Sequence, residues 1–404
     1  MIFNRRIPTW FRIAYYYESL GAFFQGISFG LSTSFFNLIA RKIGISTWLI
    51  ALLTSSVFFG SLLSYPWLKV SVRIRKIPFV VTMKSIARAL LFLFLLPRHS
   101  PPFYVTIIFI YWILEMGSNP AYWGIIKEIY PESHRGKAMG YVRVEMAIAI
   151  LLSSYAGGWL LDRISYRFVF PLGAFFGLIA LNFFRRIPLK ESINKFPKPE
   201  EDGYFKKGLE ILKEDKVFRK ILIALFLLGS GYLLSAPLYP VFLVDILNVS
   251  NFTAGKLTAL YSLFWVISYG WWGEFMDKKK SPLLTFLLSS PIFALFPFLH
   301  SIAFNLFPVY LAYSLFGLLD GGFELGRMGL ITRLATRDKV QFYSAIDYTL
   351  MGIRGSILPF VGIGLAKILA LRGVFLLSTL LASIGIYLTF QTWKYQKSLK
   401  GKPG

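Results

Sequence analysis

Several ionisable side chains of this chain sit inside long apolar runs: Glu18, Lys84, Arg88, Glu115, Asp320, Glu324 and Arg327. A charge at the centre of a bilayer costs from ~2.5 to more than 10 kcal/mol, so each must face protein or water. Counting at 1.5 Å of rise per residue, Glu115 lies roughly 20 Å from one membrane surface and Arg88 roughly 15 Å from the other. Their depths match, as do those of Lys84 and Glu18. One reading is therefore two buried ion pairs, Arg88–Glu115 and Lys84–Glu18, that fix helix packing. The other makes Glu115 a carboxylate for protons or substrate. The two coexist, because an ion pair that a proton opens is a switch.

Asp320 and Glu324 are four residues apart and share a helix face, with Arg327 one turn from Glu324. Close carboxylates resist joint ionisation, which suits proton coupling; an Arg327–Glu324 pair is the structural alternative. Tyr111, Glu115, Ser118, Asn119 and Tyr122 form a polar stripe at helical spacing. Tyr232, Ser235 and Tyr239 form another, beside Pro237 and Pro240, and Gln25 and Ser28 lie mid-run. These are candidates to line a cavity, against ordinary helix–helix hydrogen bonding. Arg143 and Asp347 correspond under a shift of 204 residues, near Glu145 and Arg354. They read as gates or latches.

Other chemistries find no residues. There is no cysteine, and the three histidines (His99, His134, His300) are scattered, so neither thiol nor histidine metal chemistry is expected. The chain has no H-E-x-x-H and no G-x-x-x-x-G-K-[ST], so no catalytic residue, metal, cofactor or nucleotide site is assigned.

The elements that must hold these residues follow from composition. The 404 residues are 55% hydrophobic and only 16% charged, with a mean hydropathy of +0.58. A soluble protein lacks the interior to hide so much apolar surface. Twelve apolar runs reach or approach the ~20 residues of a membrane span: 15–40, 48–68, 78–97, 102–126, 140–161, 167–184, 221–245, 253–275, 282–301, 304–331, 341–366 and 373–393. They are continuous rather than alternating, which predicts helices rather than barrel strands.

The net charge of +24 comes without a nucleic-acid motif, so lipid rather than nucleic acid is the expected partner. With the N-terminus inside, the inner loops hold thirty-one Lys and Arg and the outer loops eight. This predicts both termini in the cytoplasm of a multi-pass cell-membrane protein. No removable signal peptide is read at the start. The loop 185–220, with 11 basic residues, Pro188, Pro197 and Pro199, divides the chain into 1–184 and 221–404. Phe205, Leu209 and Leu212 in that loop suggest a short amphipathic helix on the membrane face. Two parallel halves of six spans are a transporter architecture.

With these features the chain resembles the major facilitator superfamily. Gly273-Glu-Phe-Met-Asp277-Lys278-Lys279-Lys280 is similar to the family's loop motif in its second-half form. His134-Arg135-Gly136-Lys137-Ala-Met-Gly140 enters the fifth span, and Gly157-Gly158-Trp-Leu-Leu-Asp162-Arg163 leaves it. In the first half, near Tyr65–Arg75, the acidic residue of the loop motif is missing: Leu68 precedes Lys69. Ser153-Ser154-Tyr-Ala-Gly157-Gly158 lacks the antiporters' Gly-Pro.

The resemblance implies an all-α fold of twelve transmembrane helices in two six-helix bundles. Spans one, four, seven and ten would line the central cavity. Asp277 would cap a helix N-terminus in the opposite half, with Arg333 or Arg135 beside it. The implied function is alternating-access transport of a small organic molecule by a monomer, proton-coupled and outward. Uptake of a sugar or other metabolite is the alternative. A membrane-embedded enzyme and a non-transporting scaffold or sensor are the minor ones.

Overall fold

The apolar runs leave the backbone one way to satisfy its hydrogen bonds within a segment, and they fold as helices. The computed structural model describes residues 2–63, 67, 74–97, 100–189, 210, 212–279, 281–334 and 340–400. Its helices are α1 (Arg12–Leu31), α2 (Phe36–Lys42), α3 (Thr47–Leu62), α4 (Lys76–Phe92), α5 (Pro101–Gly117) and α6 (Asn119–Ile129). They continue with α7 (Glu132–Leu161), α8 (Tyr166–Phe184), α9 (Lys216–Ser235), α10 (Leu238–Val241) and α11 (Asn251–Lys279). The last are α12 (Pro282–Ser289), α13 (Ile292–Ser301), α14 (Leu306–Leu334) and α15 (Val340–Lys400). Among the described residues no strand occurs, and seven helical stretches are long and apolar enough to cross a membrane.

Several expected spans are interrupted. The first breaks at a 3-10 turn, Thr33–Phe35, between α1 and α2. The fourth, expected unbroken over 102–126, divides at Ser118, where Asn119-Pro120 begins α6; proline lacks the N–H that a continuing helix needs. The last two expected spans form one run in α15, broken at Ala370, which sits at φ 55°. The amphipathic segment expected around Phe205–Leu212 and the loop Tyr65–Arg75 lie largely outside the described residues.

The chain divides into two compact units. The first comprises the described residues of Met1–Pro197 together with Leu243–Leu263. Here α1 lies against α7 and α8. Gly30 and Gly157 permit that approach, since a Cβ on Gly157 would stand 2.9 Å from the Gly30 carbonyl oxygen. Small residues are the usual means of close helix packing where lipid supplies no hydrophobic drive. An apolar cluster with Phe11, Tyr15, Val80, Ile125, Tyr130 and Val142 closes one end of this unit.

The segment 243–263 is tied in by side chains. Asp162 accepts hydrogen bonds from the backbone N–H of Asn251 (2.8 Å) and Phe252 (3.0 Å), capping α11. Arg41 Nε donates to both oxygens of Asp245, at 2.8 and 2.9 Å.

The second unit comprises the described residues of Lys198–Phe242 and Phe264–Gly404. α9 runs along α15, α12 along α14, and α13 packs on both α14 and α15. Its interior is aromatic: Tyr239 stacks on Phe375 at 5.2 Å and meets Phe296 edge-on at 4.8 Å. His300 is buried there, its Nδ1 2.8 Å from the Phe296 carbonyl oxygen, as a core residue.

Candidate functional site

α4 carries Lys84 and Arg88 four residues apart, so both basic groups leave one helix face. α5 brings Glu115 to meet them. Lys84 Nζ donates to Glu115 Oε1 at 2.8 Å, and Arg88 Nη1 donates to Glu115 Oε2. Arg88 is wholly buried; its Nη2 donates to Gln25 Oε1 of α1 at 2.7 Å, and its guanidinium lies 5.4 Å from the centre of the Tyr111 ring. Gly177 of α8 makes space for it. A Cβ there would stand 2.9 Å from both Arg88 Cγ and Ser28 Oγ.

Glu18 of α1 is bonded differently from expectation. Lys84 is paired with Glu115, not with Glu18. Depth alone could not choose between the two acids, because Lys84 follows Arg88's face and that face meets α5. Glu18 is 2% exposed and is held by two phenols: Tyr122 OH donates to Oε1 at 3.0 Å and Tyr130 OH donates to Oε2. Among the described residues no Lys or Arg forms a salt bridge with it; Arg143 of α7 acts on it at longer range. Lys84 Nζ stands 5.7 Å from the centre of the Tyr122 ring. A polar relay therefore runs Arg88, Glu115, Lys84, Tyr122, Glu18, Tyr130.

These groups surround a cavity of about 290 Å³ within the first unit. Glu18, Gln25, Lys84, Tyr111, Glu115, Asn119 and Tyr122 supply its polar wall, and Phe29, Val80, Trp112, Met116, Met146 and Phe184 its apolar one. Arg88 stands behind the wall. Size, apolar lining and a few convergent polar groups are the attributes of a small-molecule site.

In the second unit, Asp320 and Glu324 are half-buried on α14, and Asp320 acts electrostatically on Tyr232. Arg327 is salt-bridged to Asp347 of α15, Nε to Oδ2 at 2.9 Å, rather than held only by Glu324 on its own helix. Asp347 is buried, so its latch is a bond inside this unit. Ser235 and Tyr239 are buried and bonded to each other at 2.7 Å, with Tyr239 in the aromatic interior, and Tyr232 is half-buried beside Phe316. Arg354 donates to the backbone carbonyls of Leu225 and Phe226.

The motif residues are peripheral. Asp277 is exposed at the end of α11. Lys278 pairs with Glu274 on the surface at 2.6 Å, and no described atom lies within 4 Å of a Cβ placed on Gly273. Arg135 donates to the carbonyls of Lys127 and Tyr130, holding the turn before α7. The side chain of Arg333 lies outside the described residues.

The sequence reading missed Tyr130, Gly177 and the cap made by Asp162. Only Tyr130 left a signal, an aromatic hydroxyl eight residues beyond Tyr122. Among the described residues no cluster of acids and histidines could hold a metal ion.

The sequence profile of the Major Facilitator Superfamily matches residues 19–323. No curated protein is a significant match by sequence. Among solved structures, a POT family transporter in complex with 5-aminolevulinic acid superposes with a TM-score of 0.72 at 14% identity, covering 97% of each chain. A bacterial homolog of the human lysosomal transporter Spinster, inward-facing and unoccupied, gives 0.68 at 14% identity, covering 96% of this chain and 97% of that one. The nucleoside transporter NupG gives 0.67 at 12% identity, covering 94% and 99%. At such identities the likeness is one of fold. The profile spans most of the chain, which therefore belongs to the Major Facilitator Superfamily.

Proposed function

We propose that this multi-pass membrane transporter moves a small organic molecule by alternating access, coupled to protons and working outward, with twelve spans in two six-helix bundles and cytoplasmic termini. The observation that carries the reading is the cavity of the first unit, where buried acids and bases converge on apolar walls. Ionisable groups at such depth are retained for pairing, substrate or protons. Here Glu115 is tied to two cations, whereas Glu18 is held by neutral phenols, so protons are exchanged at Glu18. Asp320 and Glu324 are second candidates on the other unit.

The test is purified protein in liposomes, with an imposed pH gradient and a panel of labelled solutes. A solute whose flux follows the pH gradient, and collapses with a protonophore, is the expected result. Flux of every solute unchanged by the gradient refutes proton coupling. Flux driven only inward would replace export by uptake of a sugar or other metabolite.

A further inference from the structure

The charges at the cavity do not have equal access to it. Arg88 is wholly buried behind the wall and balances Glu115 from there. Lys84 stands on the wall, its side chain 15% exposed, and shares that same carboxylate. Glu115 cannot neutralise two cations, so the surplus positive charge at the cavity surface is the Lys84 ammonium. The negative charge that balances it is Glu18, whose two oxygens are each occupied by a phenol. Each Glu18 oxygen holds one phenol donor and keeps a lone pair, to which a proton can add.

Of the other ionisable groups near Glu18, Tyr122 lines the cavity and Tyr15, Tyr130, Arg143 and Glu145 stand outside its lining. On α1, Tyr15 lies beside it. On α7, Arg143 acts on Glu18 from outside the cavity lining, and Glu145 is buried and accepts the Phe3 N–H. From α6 and the turn after it come only Tyr122 and Tyr130, and Phe184 of α8 is apolar. Empty, the cavity group is neutral with Glu18 ionised. An anion bound at Lys84 leaves the group with one uncompensated negative charge in a space of low dielectric. Like charges there disfavour joint ionisation, so Glu18 takes up a proton.

We infer that the cavity binds a small organic monoanion, a carboxylate with a largely apolar body, through Lys84, and that each anion travels with one proton carried on Glu18. This rests on the proton-coupled transport proposed above and narrows its substrate class. About 290 Å³ is near the lower bound for ligand pockets, ~300 Å³, which limits the body to a small one. The aromatic wall of Phe29, Tyr111 and Trp112 suits that body. Because charge enters in balanced pairs, the cycle is electroneutral. Its direction follows the combined gradient of anion and proton, so an accumulated organic acid would leave the cell with its proton.

The experiment uses the full chain in detergent and in liposomes, with benzoate, benzamide, benzylamine and phenylalanine as probes of one shape and four charge types. Calorimetry in buffers of different ionisation enthalpy should show benzoate binding with uptake of one proton in the pH range where empty Glu18 is ionised. Benzoate affinity should rise about tenfold per pH unit on acidification across that range. Lys84→Met should weaken benzoate at least tenfold. Glu18→Gln should abolish proton uptake and pH-driven accumulation. Tyr122→Phe, which removes one donor from the carboxylate, should move the pH midpoint upward and serves if Glu18→Gln fails to fold. Preference for the amine, amide or zwitterion, or full proton uptake in Glu18→Gln, overturns this inference while leaving transport intact. No pH-driven flux of any solute in the wider panel refutes the transport reading itself, and this inference with it.

Discussion

Replacing Glu115 by glutamine should destabilise the first unit before it affects anything else. Arg88 has no exposed surface and its counter-charge is Glu115, so the substitution strands a guanidinium in a dry interior. Lys84 loses the same partner but stands at the cavity wall, where water can reach it. Removing one partner of a buried ion pair typically costs 3–5 kcal/mol, because the remaining charge is left desolvated. At ~2–4 °C per kcal/mol for a unit of this size, the melting temperature should fall by roughly 10 °C. Lys84→Met should cost much less, about 1 kcal/mol or below, since a partly exposed charge is screened.

The absence of cysteine rules out thiol-reactive dyes, and the 10 tryptophans make intrinsic fluorescence the natural melt signal. The double variant Glu115→Leu with Arg88→Met removes both charges and should recover much of the loss, giving a coupling energy of about 3 kcal/mol in a double-mutant cycle. A Glu115→Gln protein melting within a degree of wild type, or single substitutions that add to within ~0.5 kcal/mol, would show that the pair carries no such energy.

Three further substitutions probe other parts of the arrangement. Gly177→Val places atoms against Arg88 Cγ and Ser28 Oγ, which a Cβ alone would meet at 2.9 Å; a loss of about 1–3 kcal/mol is expected in the same melt, and wild-type stability would mean that Arg88 has another place to go. Asp162→Ala removes the acceptor for two N–H groups at the start of α11 and should cost about 0.5–2 kcal/mol, with faster hydrogen exchange at Asn251 and Phe252; unchanged exchange there would refute the cap. Asp347→Asn leaves Arg327 with a neutral partner and should cost about 1.5–3 kcal/mol, less than Glu115→Gln because the Arg327 side chain is 21% exposed; an equal or larger loss would contradict that ranking.

What the sequence could and could not convey about the site divides along one physical line. Apolar length and the rise per residue are properties of a single helix, so the helical nature of the runs and the shared depth of Arg88 and Glu115 could be read from one strand of text. Azimuth is a property of two helices packed together. Lys84 and Glu18 also share a depth, but the face that aims Arg88 at α5 takes Lys84 with it, one turn away, and leaves Glu18 to the phenols of Tyr122 and Tyr130. The same limit misdirected Arg327, which has an acid on its own helix at Glu324 and is salt-bridged to Asp347 of α15. It also hid Gly177, which leaves space on α8 for the Arg88 side chain.

The apolar run 102–126 reads as one span and conceals the break at Asn119-Pro120, and with it the consequence. Ending α5 at Gly117 lets α6 start afresh, and this brings Tyr122, and Tyr130 beyond the helix end, onto Glu18. A proline chosen for its missing N–H thus decides which acid is clamped by cations and which is left to phenols. That asymmetry, more than the count of buried charges, separates the carboxylate that holds two helices together from the one proposed to exchange a proton. It is also why stability should track Glu115 while pH dependence tracks Glu18.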